Sequence, residues 1–281
     1  MKSSLLVIFA FVFILTSCEN DSINSDYEEL AIQQTQVLNL SDEIISQVDL
    51  LTSTVINSQN FSNDTVVEYN VNSNNYIVTS RDTLLFPTSK RYPKTIVLNF
   101  SNGYQVSGRV LKGKLTVYLK DTLSQTASNK KIIYNEFFID NIKFAGNKLI
   151  SFKGSKSVTD PNNLDSTIFL VSSRDSILIG SSKYVFNSYL TRDCIKLGGD
   201  TIKYITKGYV AGTDNKSNKF NSGILANKPL IRYAGYPYIV EGIINFTINS
   251  KVATLNYGSG ITDNQAILNY QNGETKSITF K

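Results

Sequence analysis

The 281-residue chain contains no histidine, and this limits the reactions that its side chains can catalyse. Triad hydrolases need an imidazole to accept and return a proton near neutral pH, and zinc enzymes draw most of their ligands from histidine. Both classes are therefore excluded in their usual forms. Cys194 has no histidine to activate it, and we interpret it as a small residue at a strand edge rather than a nucleophile.

Carboxylate pairs are the catalytic groups that remain. Glycoside hydrolysis needs two Asp or Glu residues flanking a bond and no histidine. Glu136 and Asp140 are predicted to share one side of a strand with Tyr134 and Phe138. Glu241 is predicted to share a face with Asn245, Thr247 and Asn249. A solvated strand face is the simpler explanation of the same residues, and we favour it. The absence of tryptophan also counts against carbohydrate cleavage, since sugar rings often stack on indole. A carboxylate-dependent glycan hydrolase is kept as an alternative, and no catalytic residue is assigned.

Loops rich in Asp and Asn offer oxygen ligands for calcium. They are Asp160 to Asp165 and the stretch from Asp200 or Asp214 to Asn218. Neither has the Asp-x-Asp-x-Asp-Gly spacing of a calcium loop, so ordinary turns built on Asx residues are the simpler interpretation. No phosphate-cradling glycine loop or dinucleotide fingerprint occurs either. We therefore expect no metal site and no cofactor.

Basic residues with aromatic neighbours are the remaining candidates for binding. On exposed strand faces they could contact an anionic glycan or polymer through charge and stack on its rings. A competing interpretation is that the lysines protect strand edges from pairing with other chains, or that they face the acidic N-terminal segment of the same chain. The candidate ligand-binding residues are Lys94, Lys114, Tyr118, Lys203, Tyr204 and Lys207.

The elements that carry these residues are predicted to be β-strands. From about Tyr69 onward apolar residues alternate with polar ones, as in Leu115, Val117 and Leu119, and turn signals such as Asn272-Gly273 recur every eight to twelve positions. Hairpins in series predict an antiparallel sheet with one solvated face. The fold class expected for residues 69–281 is mainly β, either a β-sandwich or a long curved β-meander.

One amphipathic helix is expected before the strands. Ile44, Ile45, Val48, Leu51 and Val55 recur at helical spacing, and we expect this apolar stripe to pack on the β domain. Residues 41–68 are assigned to this helical segment. Residues 18–40 are polar and acidic without core periodicity, which predicts a tether.

Residues 1–17 have the pattern of an export signal. Leu5 to Leu15 form an uncharged run of about eleven residues, which is short of the roughly 20 needed to span a bilayer. The sequence Leu15-Thr16-Ser17-Cys18 resembles the bacterial lipobox, and this resemblance implies lipidation of Cys18 and attachment to the membrane. Cys194 would then have no disulfide partner within the molecule. A secretory signal with an incidental cysteine is the alternative.

Two features past Cys18 bear on location. The next residue is Glu19 rather than the aspartate typical of inner-membrane retention, which favours the outer membrane. The acidic residues that follow resemble surface-export signals of lipoproteins in the Bacteroidota, so we expect the cell surface rather than the periplasmic leaflet.

Charge divides the chain after the signal. From Cys18 to Ser80 there are ten acidic residues and no Lys or Arg, whereas from Arg81 onward there are 27 basic and 13 acidic residues. The overall net charge of +5 therefore hides an acidic segment and a basic body.

Several segments together resemble the uncharacterised β-rich lipoproteins of the Bacteroidota. They are Tyr92 to Phe100, Lys112 to Leu115, Pro237 to Gly242 and Leu255 to Asn264. The resemblance implies an exported all-β lipoprotein without an established activity. It also implies that a disulfide common in such proteins is lost here, with Thr262 and Tyr233 or Tyr236 at the corresponding places.

The sequence thus predicts a lipid-anchored, non-enzymatic protein with a binding or structural role at the outer membrane. We expect no nucleic-acid partner. A carrier or assembly factor for lipid-linked material is a further alternative, and it would need an exposed apolar concavity.

Overall fold

A computed structural model of the chain describes residues 31–33, 35, 39, 44, 48, 51–52, 65–71, 74–82, 92–100, 103–106, 109–121, 128–157 and 164–280. Cys18, the signal segment and the Asp160 loop lie outside these residues. The strands are β1 (Thr65–Val71), β2 (Asn74–Asp82), β3 (Lys94–Asn99), β4 (Tyr104–Val106), β5 (Arg109–Leu119), β6 (Asn129–Ile139), β7 (Ile142–Ser157), β8 (Leu164–Ile179), β9 (Ser182–Leu197), β10 (Asp200–Asp214), β11 (Lys219–Ile224), β12 (Leu230–Tyr233), β13 (Glu241–Ile248), β14 (Lys251–Ser259), β15 (Gln265–Tyr270) and β16 (Thr275–Thr279).

All of these strands belong to one antiparallel sheet, and fourteen of them follow one another in nearly sequential order. The short strands β4 and β12 pair beside this path, on β5 and on β10 and β13. The mainly β, antiparallel fold class is confirmed, and the arrangement is the meander of the two expected alternatives. The hairpins that connect neighbouring strands produce it, since each tight turn returns the chain beside the strand it has just left.

Burial alternates along the strands because successive side chains point to opposite faces of the sheet. In β3, for example, Ile96 and Leu98 are fully buried while Val97 is only half-buried. We call the buried side the inner face and the opposite side the outer face. One cluster of buried apolar residues runs along the inner face from Leu98 on β3 to Phe280 after β16.

Helical residues from the N-terminal part of the chain belong to the same cluster. Residues 31–33, 35, 39, 44, 48 and 51–52 are helical, and Ala31, Ile44, Val48 and Leu51 are at most 3% exposed. The expected packing of an amphipathic helix on the β domain is therefore confirmed at Ile44, Val48 and Leu51. Ile45 and Val55 lie outside the described residues.

Glycines allow the long central strands to approach each other closely. A Cβ atom on Gly208 of β10 would lie 2.1 Å from the carbonyl oxygen of Tyr189 on β9, and one on Gly146 of β7 would lie 2.2 Å from that of Arg174. Both glycines have positive φ angles that side chains disfavour. Register shifts also occur in β5, β6, β7, β10 and β13, and such bulges bend a sheet locally.

The described secondary structure differs at two places from the boundaries expected at the N-terminal side. The tether assigned to 18–40 includes helical residues from Ala31 onward, and Ala31 and Thr35 are fully buried. The β-rich domain begins at Thr65 rather than Tyr69, so the end of the segment assigned to the helix is a strand. The polar composition of these residues does not predict the helical residues from Ala31 or the strand that starts at Thr65. A short polar helix or an edge strand can be stabilised by tertiary contacts that the sequence does not show.

Within the described part of the chain, no helix combines the length and the apolar character needed to cross a membrane.

Candidate functional sites

The register of the central strands builds a straight row on the outer face. Tyr118 on β5 pairs with Lys131 on β6, which pairs with Leu149 on β7. The row continues through Ser172 on β8 to Tyr189 on β9 and Tyr209 on β10. We call these six residues the outer row. Since neighbouring strands lie about 4.8 Å apart, it spans roughly 24 Å across the sheet.

The large side chains of the outer row are accessible. Tyr189 is 54% exposed, Tyr209 46%, Tyr118 41% and Leu149 37%. The rings of Tyr189 and Tyr209 lie with their centroids 5.4 Å apart and their planes inclined by 33°. They form a broad aromatic surface whose apolar rings remain open to a ligand.

The rows that flank the outer row are basic or neutral. One contains Thr116, Ile133, Asn147, Arg174, Asn187 and Ala211, and the other contains Asn129, Ser151, Leu170, Thr191 and Lys207. Neither contains an acidic residue, and Arg174 and Lys207 are exposed. With Lys131, they give the aromatic surface a positive border.

The inner face carries a second set of tyrosine and basic residues, which we call the inner basic cluster. It consists of Tyr204, the two arginines Arg192 and Arg232 that pack on its ring, and Lys130, which interacts electrostatically with Arg192. The guanidinium carbon of Arg192 lies 4.1 Å from the centroid of the Tyr204 ring, and that of Arg232 lies 4.7 Å from it. Both arginines are at most 5% exposed. Arg232 also donates a hydrogen bond to the carbonyl oxygen of Tyr236 at 3.1 Å. These contacts are cation–π interactions away from solvent, where they are strongest.

Lys130 is fully enclosed in this cluster. Burial, with the positive charge of Arg192 second, lowers the pKa of Lys130 to about 7, and the nearby thiol of Cys194 opposes the shift. Cys194 is buried on β9, which lies between β8 and β10. The interpretation that Cys194 lies at a strand edge is therefore wrong, because its strand is paired on both sides.

An ion pair is buried further along the inner face. The Lys148 ammonium on β7 lies 2.5 Å from a carboxylate oxygen of Asp175 on β8, and both side chains are at most 2% exposed. Beside them the hydroxyls of Ser173 and Ser188 lie 2.6 Å apart. Burial and then the Asp175 charge raise the pKa of Tyr134 well above its usual value. These polar groups are spread among apolar side chains, so their geometry is closely constrained.

The six candidate binding residues are divided between the two faces. Lys114, Tyr118, Lys203 and Lys207 lie on the outer face, although Lys203 is only half-exposed. Lys94 and Tyr204 lie on the inner face, which corrects their expected exposure. Lys94 is fully buried because it alternates in step with Ile96 and Leu98. Tyr204 pairs with Cys194 and Arg232 on neighbouring inner positions.

The structure gives the candidate catalytic carboxylates other partners or places them on distant strands. Glu136 is exposed and bonded to Lys143 at 2.6 Å, whereas Asp140 accepts bonds from Arg109 at 3.1 Å and from the backbone of Val110. Both lie at the β6–β7 end of their hairpin, while Glu241 is on β13, six strands along the sheet. The expectation that Glu136 shares a face with Tyr134 is wrong, because a register shift lies between Tyr134 and Phe137. The ion pairs of Glu136 and Asp140, and the position of Glu241 on a distant strand, do not support a catalytic pair.

The Asp214 loop is a turn that bonds to itself. One carboxylate oxygen of Asp214 accepts bonds from the backbone of Lys216 and Asn218, and the other accepts from the Asn218 side chain. These bonds stabilise an Asx-type turn, which was the simpler of the two interpretations. Over the described residues, no three His, Cys, Asp or Glu side chains gather in a group that could hold a metal ion.

Comparisons with known proteins give no relative: no protein-family model, no curated protein and no solved structure matches the chain. Interpretation of the two sites therefore rests on their own geometry. Sequence reasoning missed Tyr189, Leu149, Arg192 and Arg232. The alternation of β9 could have placed Tyr189 and Arg192 on opposite faces, but only the register between strands shows which residues they meet.

Proposed function

We propose that the protein is a lipid-anchored, exported β protein that binds an acidic polysaccharide along the outer row. The observation that carries the proposal is the exposed Tyr189–Tyr209 pair at one end of a straight row with a basic border. Tyrosine rings can stack on sugar rings, and the lysines and Arg174 can attract carboxylate or sulfate groups.

The shape of the row favours a chain over a small ligand. Small molecules are usually bound in concave sites that bury most of their surface. The outer row instead lies across six adjacent strands, and its large side chains are exposed rather than enclosed. An extended polymer can contact several positions of such a row at once, so weak individual contacts add through multivalency.

Membrane attachment is the second part of the proposal. The sequence around Cys18 resembles a lipobox, and Glu19 favours the outer membrane. A lipid at Cys18 would hold the body beside the membrane with its outer face available to extracellular or periplasmic polymer. Surface display remains the favoured location.

The two alternatives receive less support. The glycan hydrolase needs two carboxylates across a cleft, and Glu136 and Asp140 are instead held in ion pairs at the surface. The lipid carrier needs an open apolar groove, and the apolar residues of the inner face join one buried cluster with Ile44, Val48 and Leu51.

Binding to polygalacturonate, measured by titration calorimetry at low and at physiological salt, tests the ligand class. Neutral dextran of matched length is the control polymer. We expect polygalacturonate to bind and dextran to bind at least tenfold more weakly. The affinity should fall as salt rises, because exposed charges are screened beyond about 8–10 Å at 0.1–0.15 M.

Variants locate the binding surface. Tyr189→Ala combined with Tyr209→Ala should weaken binding tenfold or more, a loss of about 1.4 kcal/mol or more. Tyr233→Ala is the matched control, since Tyr233 is 38% exposed and pairs with Lys203, six positions along β10 from Tyr209. Equal losses in both variants, or no binding of acidic polymer by the wild type, would contradict the proposal. Concentration-dependent dimerisation that the double variant abolishes would show instead that the row is a contact between copies.

A further inference from the structure

Gly223 on β11 is a glycine that its own backbone does not require. Glycine weakens a strand and often marks a bulge or a place where a ligand or another backbone comes close. Each other glycine within the described strands has a positive φ angle or, at Gly212, a carbonyl oxygen that a Cβ atom would approach to 2.3 Å. Gly223 has neither, because its φ angle is not positive and a Cβ atom there would meet no atom within 4 Å.

The ladders on both sides of Gly223 are regular. Gly223 pairs with Tyr209 on β10 and with Asn245 on β13, and no register shift occurs in either ladder. The pairing with β13 continues past Gly223, where the Leu225 amide donates a hydrogen bond to the carbonyl oxygen of Ile243 at 3.0 Å. A positive φ, a bulge and a crowded backbone are therefore excluded as reasons for the glycine. The close approach of a ligand remains.

The open position lies beside the aromatic pair of the outer row. Because Gly223 pairs with Tyr209, a side chain at Gly223 would stand on the outer face next to the Tyr209 ring. Tyr189 lies on the β9 side of that ring, with the two centroids 5.4 Å apart. The backbones of β10 and β13, with β11 between them, lie roughly 10 Å apart. This gap accommodates a ring stacked on Tyr209, which needs roughly 4.5–7 Å between ring centres.

The surroundings of the gap are polar and uncharged. Beyond Gly223 the line of paired residues continues across four more strands through Asn245, Thr254, Asn269 and Thr275. Asn221 and Thr247, the next outer-face positions beside Gly223 and Asn245, are exposed and also uncharged. Amide groups donate and accept hydrogen bonds, and hydroxyl groups do the same. Such a surface suits the hydroxyl or acetamido groups of a sugar and offers no opposite charge to a carboxylate.

We propose that Gly223 leaves open a subsite for an uncharged sugar unit, bounded by the ring of Tyr209 and the side chain of Asn245. The inference rests on the proposed binding of a polysaccharide along the outer row, and it narrows the ligand to a polymer that carries neutral units beside acidic ones. The acidic units lie along the basic border formed by Lys131, Arg174 and Lys207. A neutral unit stacks on the side of Tyr209 next to Gly223.

Filling the gap tests the subsite in the full-length protein. Gly223→Ala and Gly223→Val add a small and a larger side chain where a Cβ atom has open space, and valine suits a strand. Gly223→Val should weaken the binding of hyaluronan, in which acidic and N-acetylated neutral sugars alternate, by about tenfold or more, and Gly223→Ala by less. Binding of polygalacturonate, whose units are all acidic, should change by less than about twofold. Both variants should keep or raise the Tm, because they replace a strand glycine.

Thr213→Val is the matched control, because it places the same side chain on the outer face of β10, four positions from Tyr209. It should change neither affinity. Unchanged hyaluronan binding in Gly223→Val would overturn the subsite, and an equal loss of both polymers would overturn its preference for an uncharged unit. A Tm lowered by about 5 °C or more in Gly223→Ala would also overturn the inference, since the fold would then require the glycine.

A neutral oligosaccharide separates failure of this inference from failure of the proposed function. Chitotetraose, which consists only of N-acetylated neutral units, is added at millimolar concentration, and its NMR signals report contact with the protein. Contact that Gly223→Val abolishes would support the subsite even if no acidic polymer binds and the proposed function is wrong. No contact in a wild type that binds hyaluronan and polygalacturonate equally well would overturn the subsite and leave the proposed function intact.

Discussion

The outer row and the inner basic cluster use the same residue types on opposite faces of the same strands. On β9, Tyr189 points outward and Arg192 inward, and on β10, Tyr209 points outward and Tyr204 inward. Tyr189 and Tyr209 are about half exposed, whereas Arg192 is 2% exposed and packs on Tyr204. The difference shows that residue type alone does not assign a role.

Exposure decides which set can meet a ligand. Side chains of the outer row keep much of their contact with water, so removing one of them should cost little stability and leaves binding as the property to measure. Polar side chains of the inner face are desolvated, and removing one partner of a buried pair such as Lys148 and Asp175 leaves the other group without compensation. Substitutions on the two faces should therefore separate stability from binding.

The largest expected effect is at the buried ion pair. Lys148→Met leaves the Asp175 carboxylate buried without its ammonium partner, and such a change costs about 3–5 kcal/mol. Urea unfolding measures the loss as a lower midpoint at an unchanged slope. Lys143→Met is the matched control, because it breaks the exposed pair with Glu136, which is worth about 0–1 kcal/mol. Similar losses in the two variants would contradict the distinction between the faces.

A smaller effect is expected from the titration of Lys130. The pKa of Lys130 is about 7 in the folded protein and near 10.5 when unfolded, so between these values the unfolded state binds more protons. Stability should therefore rise with pH across this window, by up to about 1.4 kcal/mol per pH unit for this group. Below pH 7 the full cost of burying the ammonium is present.

Lys130→Met tests the assignment to this residue. In the wild type, the free energy of unfolding should rise between pH 7.5 and 9.5, and in the variant this rise should be absent. The stability of the variant, compared with the wild type at the same pH, should therefore be higher at pH 6.5 than at pH 9.5. Lys131→Met is the control, because Lys131 is the exposed neighbour on the outer face. An identical pH profile in the wild type and Lys130→Met would show that Lys130 keeps an ordinary pKa.

The comparison also explains how far the sequence could be interpreted. Period-two alternation is a local property, so the mainly β class and strands such as β3 and β15 could be predicted within a residue or two. β7 is harder to predict, because Gly146, Lys148 and Gly154 interrupt its apolar alternation. Those interruptions are structural: Gly146 allows close approach of β8, and Lys148 pairs with Asp175.

The sites were harder to predict than the strands. Lys94 and Tyr204 were grouped with Lys114 and Lys207 because all are basic or aromatic residues in strands. The face of Lys94 follows from its alternation with Ile96 and Leu98, whereas the face of Tyr204 depends on the bulge between Thr201 and Lys203, which reverses the alternation locally. The meeting of Tyr189 with Tyr209 depends on the register between β9 and β10, which the turn at Gly198-Gly199 sets and which local patterns do not encode.

The smallest expected effect on stability is at the outer row itself. Tyr189→Ala or Tyr209→Ala removes a ring that is about half exposed and loses mainly the contact between the two rings, worth about 0.5–1.5 kcal/mol. The urea midpoint should move far less than in Lys148→Met. Tyr204→Ala is the informative contrast, because it removes the ring packed against both buried arginines and should destabilise the protein by about 3 kcal/mol or more. If the outer variants proved as destabilising as Tyr204→Ala, the two tyrosines would be structural, and their exposure would no longer support a binding role.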